Sequence, residues 1–450
     1  MSDLLNDAAL RAQHYLAGLT ARSVAPTAAA LEALAAFDRP LPAQPCGADE
    51  VLAELDQLGS PATMASAGGR FFGFVIGGSL PVTVAASWLT TAWDQNAGLV
   101  VTSPVNAMLE KVALRWVLEI LGLPPAGGGG FVTSATAANF AALAAARHAL
   151  LARAGWDVEG QGLFGAPPLT VVVSEEVHAS VRKALSMVGL GRDRVVRVPC
   201  DAQGCMRLAE FPQVDARTIV CVQAGNVNTG GFDPIGEICE RARARGAWVH
   251  VDGAFGLWAA AAPPRAHLTR GIGEADSWAT DAHKWLNVPY DSGLVLSREP
   301  QALRAAMSVE GAYLAQSEDR VPYQYTPDFS RRARGVEVWA ALRQLGRSGL
   351  ADLIERTCRF AQRFADGLAR AGYRVLNEVV LNQVLVSFGS PERTLAVIER
   401  IQRDGTCWCG GTVWQGHTAM RISVSSWATT ETDVELSLEA MLRAAAAVPH

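Results

Sequence analysis

A run of short apolar segments, each bounded by turn residues and set apart by helical stretches, constrains this chain more than any other feature. TVVVS (170–174), RVVRVP (194–199), TIVCVQ (218–223), AWVHVD (247–252), DSWATD (276–281) and SGLVLS (292–297) all have strand length. Between them lie an alanine-rich helix at 137–153 and the helical stretches EEVHASVRKALSMVG and DPIGEICERARARG. Apolar strands that alternate with helices are covered on both faces, which predicts a mostly parallel, two-sided α/β sheet.

The flanks read differently. Residues 1–50 carry a helical pattern followed by the proline-rich connector FDRPLPAQPCGADE, and residues 51–125 are mostly helical. GLPPAGGGG then reads as a sharp stop and a turn. After about residue 300 the sheet pattern lapses into one or two long helices. YRVLNE, NQVLVSFG and MRISVSS follow around a helix at 391–403, with a last helix at 430–447. The expected division is an N-terminal helical segment 1–50, a large α/β domain 51–300 and a smaller α+β domain 301–450.

Composition excludes several function classes. The net charge of -5 and the lack of a dense basic run argue against a nucleic-acid partner. The apolar stretch VIGGSLPVTVAASWLTTAW, residues 75–93, is interrupted by GGS and Pro81, so it is read as buried or interfacial and not as a membrane span. No basic region followed by an apolar run opens the chain, and the eight cysteines are scattered, so a cytoplasmic protein with reduced thiols is expected. Cys407 and Cys409 form CxC with no second pair or nearby histidine, so no metal site is expected.

Chemistry concentrates at the ends of the expected strands. GGGGFVTSATAANF leads into a helix through Thr133 and Ser134, which suits either simple capping or an anion held at a helix N-terminus. Asp252 lies at the C-terminal end of an apolar strand, where open α/β sheets bind ligands. A buried carboxylate there needs a donor or cation, although a turn or cap aspartate is the plainer reading. His178 enters a helix at the same rim. Lys284, in TDAHKWLNVPYDSG, is one of only three lysines in a chain that otherwise uses arginine. A lysine can condense with an aldehyde cofactor and an arginine cannot. A phosphate cradle, a lysine and an acidic residue at one rim are what pyridoxal 5'-phosphate requires. Neither GK[ST] nor GxGxxG is present to suggest a nucleotide.

TSATAAN, EEVHASVRKA, QAGNVNTGGFDPI, WVHVDGAFG and DAHKWLNVPYD, in this order, resemble the motifs of the group II pyridoxal-phosphate-dependent amino-acid decarboxylases. That family includes aromatic-L-amino-acid, tyrosine, histidine and glutamate decarboxylases. The resemblance runs from about residue 50 to the C-terminus. It implies fold type I, aspartate-aminotransferase-like, with a large, mostly parallel seven-stranded sheet domain and a smaller C-terminal α+β domain.

The resemblance also implies roles for individual residues. Lys284 would hold the cofactor covalently, with His283 beside it. Asp252 would pair with the pyridine nitrogen. Ala254 and His178 would face the two sides of the ring. Ser134, Ala135 and Thr136 would supply donors to the phosphate. Asn226 and Asp281 stand at cofactor-contacting positions where some relatives have threonine and asparagine. In the family, a tyrosine lent by a partner subunit protonates Cα, and Tyr323 is the candidate here, with Tyr325 the neighbour to weigh against it.

The implied activity is decarboxylation of an L-amino acid to its amine and carbon dioxide by a homodimer. GGRFFGFVIGG, residues 68–78, resembles the family's substrate-lining segment, and Phe71, Phe72 and Phe74 suit either an aromatic or apolar substrate side chain or the core, with an aromatic substrate the expectation. An acidic substrate would call on an arginine such as Arg70 or Arg421. An aminotransferase or lyase of the same fold, and a cofactor-binding homologue without turnover, remain as alternatives.

Overall fold

The computed structural model describes residues 2–309 and 320–449. Within them the chain forms two compact units. The larger comprises Ser79–Arg359 with Asn377–Gln383. Its sheet has seven strands: β1 Gly128–Val132, β2 Thr170–Ser174, β3 Val196–Val198, β4 Thr218–Gln223, β5 Trp248–Asp252, β6 Ser277–Asp281 and β7 Gly293–Ser297. Their order is β1-β7-β6-β5-β4-β2-β3. The pairs β2–β3, β2–β4, β4–β5 and β5–β6 are parallel. Strand β7 alone runs against its neighbours, pairing antiparallel with β6 and β1.

Every residue of β4, β5, β6 and β7 is buried, which is why these strands read as unbroken apolar runs. Against the sheet lies the helix Ala135–Arg153, whose Ala138, Ala141, Ala142, Ala145 and Ala146 are buried in one core with Val171, Val173, Ile219 and Val295. Alanine lets the helix axis approach the strands closely.

Two sequence expectations are corrected here. GGGG is no turn: Gly128, Gly129 and Gly130 belong to edge strand β1. Glycine is needed because a Cβ on Gly129 would come within 2.1 Å of Val295 O, and one on Gly130 within 2.9 Å of Tyr325 O. The helix expected over 175–189 is shorter, Ala179–Met187, and begins only after His178.

The smaller unit gathers the chain up to Gly78, Phe360–Leu376 and the chain from Val384 onward. Its sheet contains β8 Arg374–Val375, β9 Gln383–Ser387, β10 Gly410–Trp414 and β11 His417–Ser423, in the order β10-β11-β9-β8. Strand β10, absent from the expected elements, is joined to β11 by Gln415 and Gly416. Both have positive φ (45° and 82°), the combination that a tight two-residue hairpin uses.

The division differs from the boundaries expected at 50 and 300, because backbone bonds tie the N-terminal stretch to the C-terminal one. Val24 N–H donates to Gly405 O at 2.8 Å, Phe72 N–H to Trp408 O at 2.8 Å, and Ser423 N–H to Phe72 O at 2.9 Å. The long helix Arg334–Arg370 is interrupted at Gly346, whose φ of 58° and ψ of -169° are non-helical.

Candidate active site

The strand order brings one set of polar side chains to a single rim of the larger sheet. Asp252 ends β5 and Asp281 ends β6, with Lys284 three residues beyond. The helix Ala135–Arg153 starts just after β1, and His178 caps the helix that follows β2. Because β7 runs the other way, its first residue, Gly293, pairs with Asp281 at this rim. A Cβ on Gly293 would lie 2.5 Å from the Ser134 backbone, so only glycine lets β7 approach this helix start.

Asp281 is the junction. Its side chain is 2% exposed, its Oδ2 lies 2.9 Å from Lys284 Nζ, and its Oδ1 accepts the Ala135 N–H. An anion at a helix N-terminus meets free N–H groups and the positive end of the helix dipole. The resemblance offers Ala135 to a phosphate, but here the Ala135 N–H is bonded to Asp281.

His283 lies 3.7 Å from Asp281 through Nε2, and its Nδ1 accepts the Ser292 N–H at 3.1 Å. Its ring stacks on Tyr290 at 4.2 Å. Burial depresses the His283 pKa against the opposing pull of Asp281.

The Asp252 carboxylate is held on both oxygens. Oδ1 accepts Ala254 N–H at 3.2 Å. Oδ2 accepts from Asn139 Nδ2 at 3.2 Å and from Ser180 Oγ at 3.3 Å. Ala254 O in turn accepts the Asp281 N–H at 2.8 Å, which locks the ends of β5 and β6 together.

His178 Nδ1 accepts the Ser180 N–H at 3.2 Å and lies 2.7 Å from Ser180 Oγ. Accepting a backbone N–H leaves no proton on Nδ1, so a neutral His178 carries its proton on Nε2. Ser180 thus stands between His178 and Asp252, and its single hydroxyl proton serves one of the two at a time.

Other expected site residues lie further from this cluster or are otherwise occupied. Asn226 is buried, and its Oδ1 accepts N–H groups of Asn228 and Thr229 at 2.9 and 3.3 Å, so it shapes its own turn. Tyr323 is buried in the short helical turn Pro322–Tyr325. Its ring packs on Phe329 at 4.3 Å and its N–H bonds Gly98 O at 3.0 Å. Among the described residues no hydrogen bond or ring contact joins Tyr323 to the Lys284 cluster. Tyr325 lies under the Arg320 guanidinium at 4.8 Å. Thr136 is partly buried in the first turn of its helix. Residues 313–319 of the tyrosine-bearing stretch lie outside the described residues.

Asn139, Ser180 and His250 were not singled out from the sequence. Two signals were there to be read. Asn139 is a polar residue on the buried side of an alanine-rich helix, and His250 shares a strand face with Asp252 two residues on.

The residues at the rim fit pyridoxal phosphate as a donor set. An amine and a strand-end carboxylate stand beside a helix N-terminus, and the buried Ser292 hydroxyl has no hydrogen-bond partner among the described residues.

Comparison with known proteins agrees. The family model for the pyridoxal-dependent decarboxylase conserved domain matches residues 32–389. Acidic amino acid decarboxylase GADL1 of Mus musculus is 30% identical over 324 residues, 69% of this chain and 58% of that protein. Tryptophan decarboxylase 1 of Oryza sativa subsp. japonica is 26% identical over 418 residues, 84% of this chain and 80% of that protein. The match thus spans less than two thirds of the mouse relative's length.

In fold, the chain is similar to the crystal structure of Oryza sativa TDC with PLP and tryptamine. The TM-score is 0.91 at 22% identity, covering 99% of this chain and 97% of that one. It is also similar to Rhodiola rosea 4-hydroxyphenylacetaldehyde synthase, with a TM-score of 0.86 at 21% identity, covering 100% and 99%. The aminotransferase-like architecture of fold type I is therefore the fold of this chain, and with four fifths of its length matched by the family model, the chain belongs to the pyridoxal-dependent decarboxylases.

Proposed function

We propose that the chain decarboxylates an L-amino acid to the corresponding amine and carbon dioxide, with pyridoxal 5'-phosphate held at Lys284. The observation that carries this reading is the placement of Lys284 Nζ 2.9 Å from buried Asp281, at the rim where Asp252 ends its strand. When bound, pyridoxal phosphate supplies the electron sink for the pair released as the Cα–carboxylate bond breaks.

The chain's own residues do the rest. Asp252 would be the counter-ion for the ring nitrogen. His178, fixed by its cap to Ser180, presents a flat ring with its proton on Nε2. Lys284 would hold the cofactor through its amine. One proton must reach Cα to balance the loss of carbon dioxide. Tyr323 is the proposed donor on the strength of the resemblance, which has the family's tyrosine act across a subunit boundary. Restricting which Cα bond can break is a matter of orientation, which fixed side chains supply.

The substrate reading is an aromatic amino acid. Phe71 and Phe74 stack on Trp408 at 5.1 and 5.9 Å, forming an aromatic cluster in the segment that the resemblance assigns to substrate. Arg70 is engaged elsewhere, donating to Thr20 O at 2.7 Å and facing Asp433 at 3.7 Å, which weighs against an acidic side chain held there.

A panel of aromatic and acidic amino acids, assayed together for carbon dioxide, amine, aldehyde and oxo acid, tests the reading. Amine with stoichiometric carbon dioxide is expected, and oxo acid without carbon dioxide would replace it with transamination. Lys284→Ala should abolish the visible band of the bound cofactor and nearly all turnover.

A cytoplasmic homodimer is the matching assembly. All eight cysteines are free thiols. Trp88, Leu89 and Trp93 on the helix Pro81–Trp93, with Val101 and Met108 nearby in sequence, expose apolar surface that a second copy would cover. Among the described residues no helix is long and apolar enough to cross a membrane.

A further inference from the structure

Behind the rim, Asp252 terminates a chain of buried hydrogen bonds. Trp248 Nε1–H donates to Ser277 Oγ at 2.9 Å, and Ser277 Oγ lies 3.0 Å from His250 Nδ1. His250 Nε2 lies 2.8 Å from Asn139 Oδ1, and Asn139 Nδ2 donates to Asp252 Oδ2 at 3.2 Å. Trp248, Ser277, His250 and Asn139 have no exposed surface, and Asp252 retains 4%.

One allocation of protons satisfies every member. Asn139 Nδ2 faces two oxygens, Asp252 Oδ2 and Ser180 Oγ, so Oδ1 is the end turned to His250. Reversing the amide would set a carbonyl oxygen against a carboxylate. An acceptor 2.8 Å away requires the proton on His250 Nε2. The neutral ring then accepts the Ser277 hydroxyl proton at Nδ1, which leaves Ser277 Oγ to accept from Trp248. All donors point toward Asp252, and the chain carries no charge except at its end. Burial favours the same state, pushing the His250 pKa down to about 4.

We propose that Asn139 and His250 are positioning residues that fix the Asp252 carboxylate as counter-ion to the cofactor's ring nitrogen and so set that nitrogen's protonation. The proposal rests on the reading of Asp252 given above. A carboxylate with only its Ala254 and Ser180 bonds could rotate. Asn139, on the helix Ala135–Arg153, adds a donor to Oδ2, and His250 on β5 holds that amide in its productive orientation. A polar network kept for stability alone would affect folding and leave the cofactor's electronic state untouched.

The test uses holoenzyme reconstituted with pyridoxal phosphate enriched in 15N at the ring nitrogen. Wild type should show the protonated nitrogen. Asn139→Leu, close to isosteric, should move the signal toward the unprotonated position and lower kcat by about tenfold or more, the size that outer-shell partners carry in metal sites. KM should change far less than kcat. His250→Phe should act in the same direction, and His250→Gln, which keeps an N–H toward Asn139 Oδ1, should restore the wild-type signal.

A folded Asn139→Leu with unchanged nitrogen signal and kcat overturns the proposal. Should that variant fail to fold, the His250→Phe and His250→Gln pair decides: equal signals in both overturn it. A wild type that shows no bound-cofactor band sinks the functional reading itself. A wild type with the band and variants without a shift sinks the positioning role alone.

Discussion

Asp281 divides one carboxylate between Lys284 and the first N–H of a helix, the place where the resemblance puts an anionic phosphate. Two anions at one helix start oppose each other, and a charge there is worth about 1 kcal/mol. Asp281→Asn keeps the acceptor for Ala135 and removes the charge, so pyridoxal phosphate should bind about fivefold more tightly, measured by titrating apoprotein with cofactor.

His250 makes a separate prediction. Its pKa falls from the ordinary 6.5 to about 4 in the folded chain, so between those values the unfolded chain binds the extra proton. Stability contributed by the neutral ring is complete above 6.5 and is lost as pH falls toward 4, by about 3 kcal/mol. Asp233, pushed by burial up to about 7, works in the opposite direction, so the net slope mixes the two. The difference isolates His250: urea unfolding of wild type and His250→Gln at pH 7 and pH 4 should show wild type losing more, by about that amount.

The placement of Lys284 and Asp252 at one rim could be read from sequence because polar residues at the ends of apolar strands stand out. The Asn139–His250 contact could not, since 111 residues separate the two and nothing local encodes their meeting.

Among elements, strand β1 shows where pattern fails. A strand is read from side chains, and Gly128–Gly130 have none to read; what makes them a strand is the proximity of β7, a tertiary fact. Strand β10 escaped for a related cause. It is short and half exposed, and its order depends on the hairpin with β11. Strands β2, β4 and β5 were legible because burial on both faces demands an uninterrupted apolar run.

The glycine strand yields its own prediction. Gly129→Ala forces a Cβ to within 2.1 Å of Val295 O, a backbone atom that cannot swing aside. The cost should be about 1–3 kcal/mol, read as a lower urea midpoint, with Gly122→Ser unsuitable as a control because Gly122 has positive φ (64°).

Across the whole molecule, the α/β class and the C-terminal α+β unit followed from the order of elements. The membership of residues 1–78 in the smaller unit did not, because backbone bonds such as Phe72 to Trp408 leave no trace in local pattern. The exposed tryptophans of the helix Pro81–Trp93 bear on assembly. Sedimentation velocity should give twice the 47.7 kDa chain mass, and Trp88→Asp should shift the population toward single chains.

The division of the chain also sets an order of events during synthesis. The larger unit is nearly contiguous and can close once residue 383 has left the ribosome. Residues 1–78 emerge first, yet their partners begin only at Phe360 and are not complete until the end. At bacterial and eukaryotic elongation rates of about 5–20 residues per second, Phe71 and Phe72 wait roughly 17–67 s before Trp408 arrives. Through that interval the nascent chain displays an aromatic, unpaired segment, and it is there that a chaperone has reason to bind.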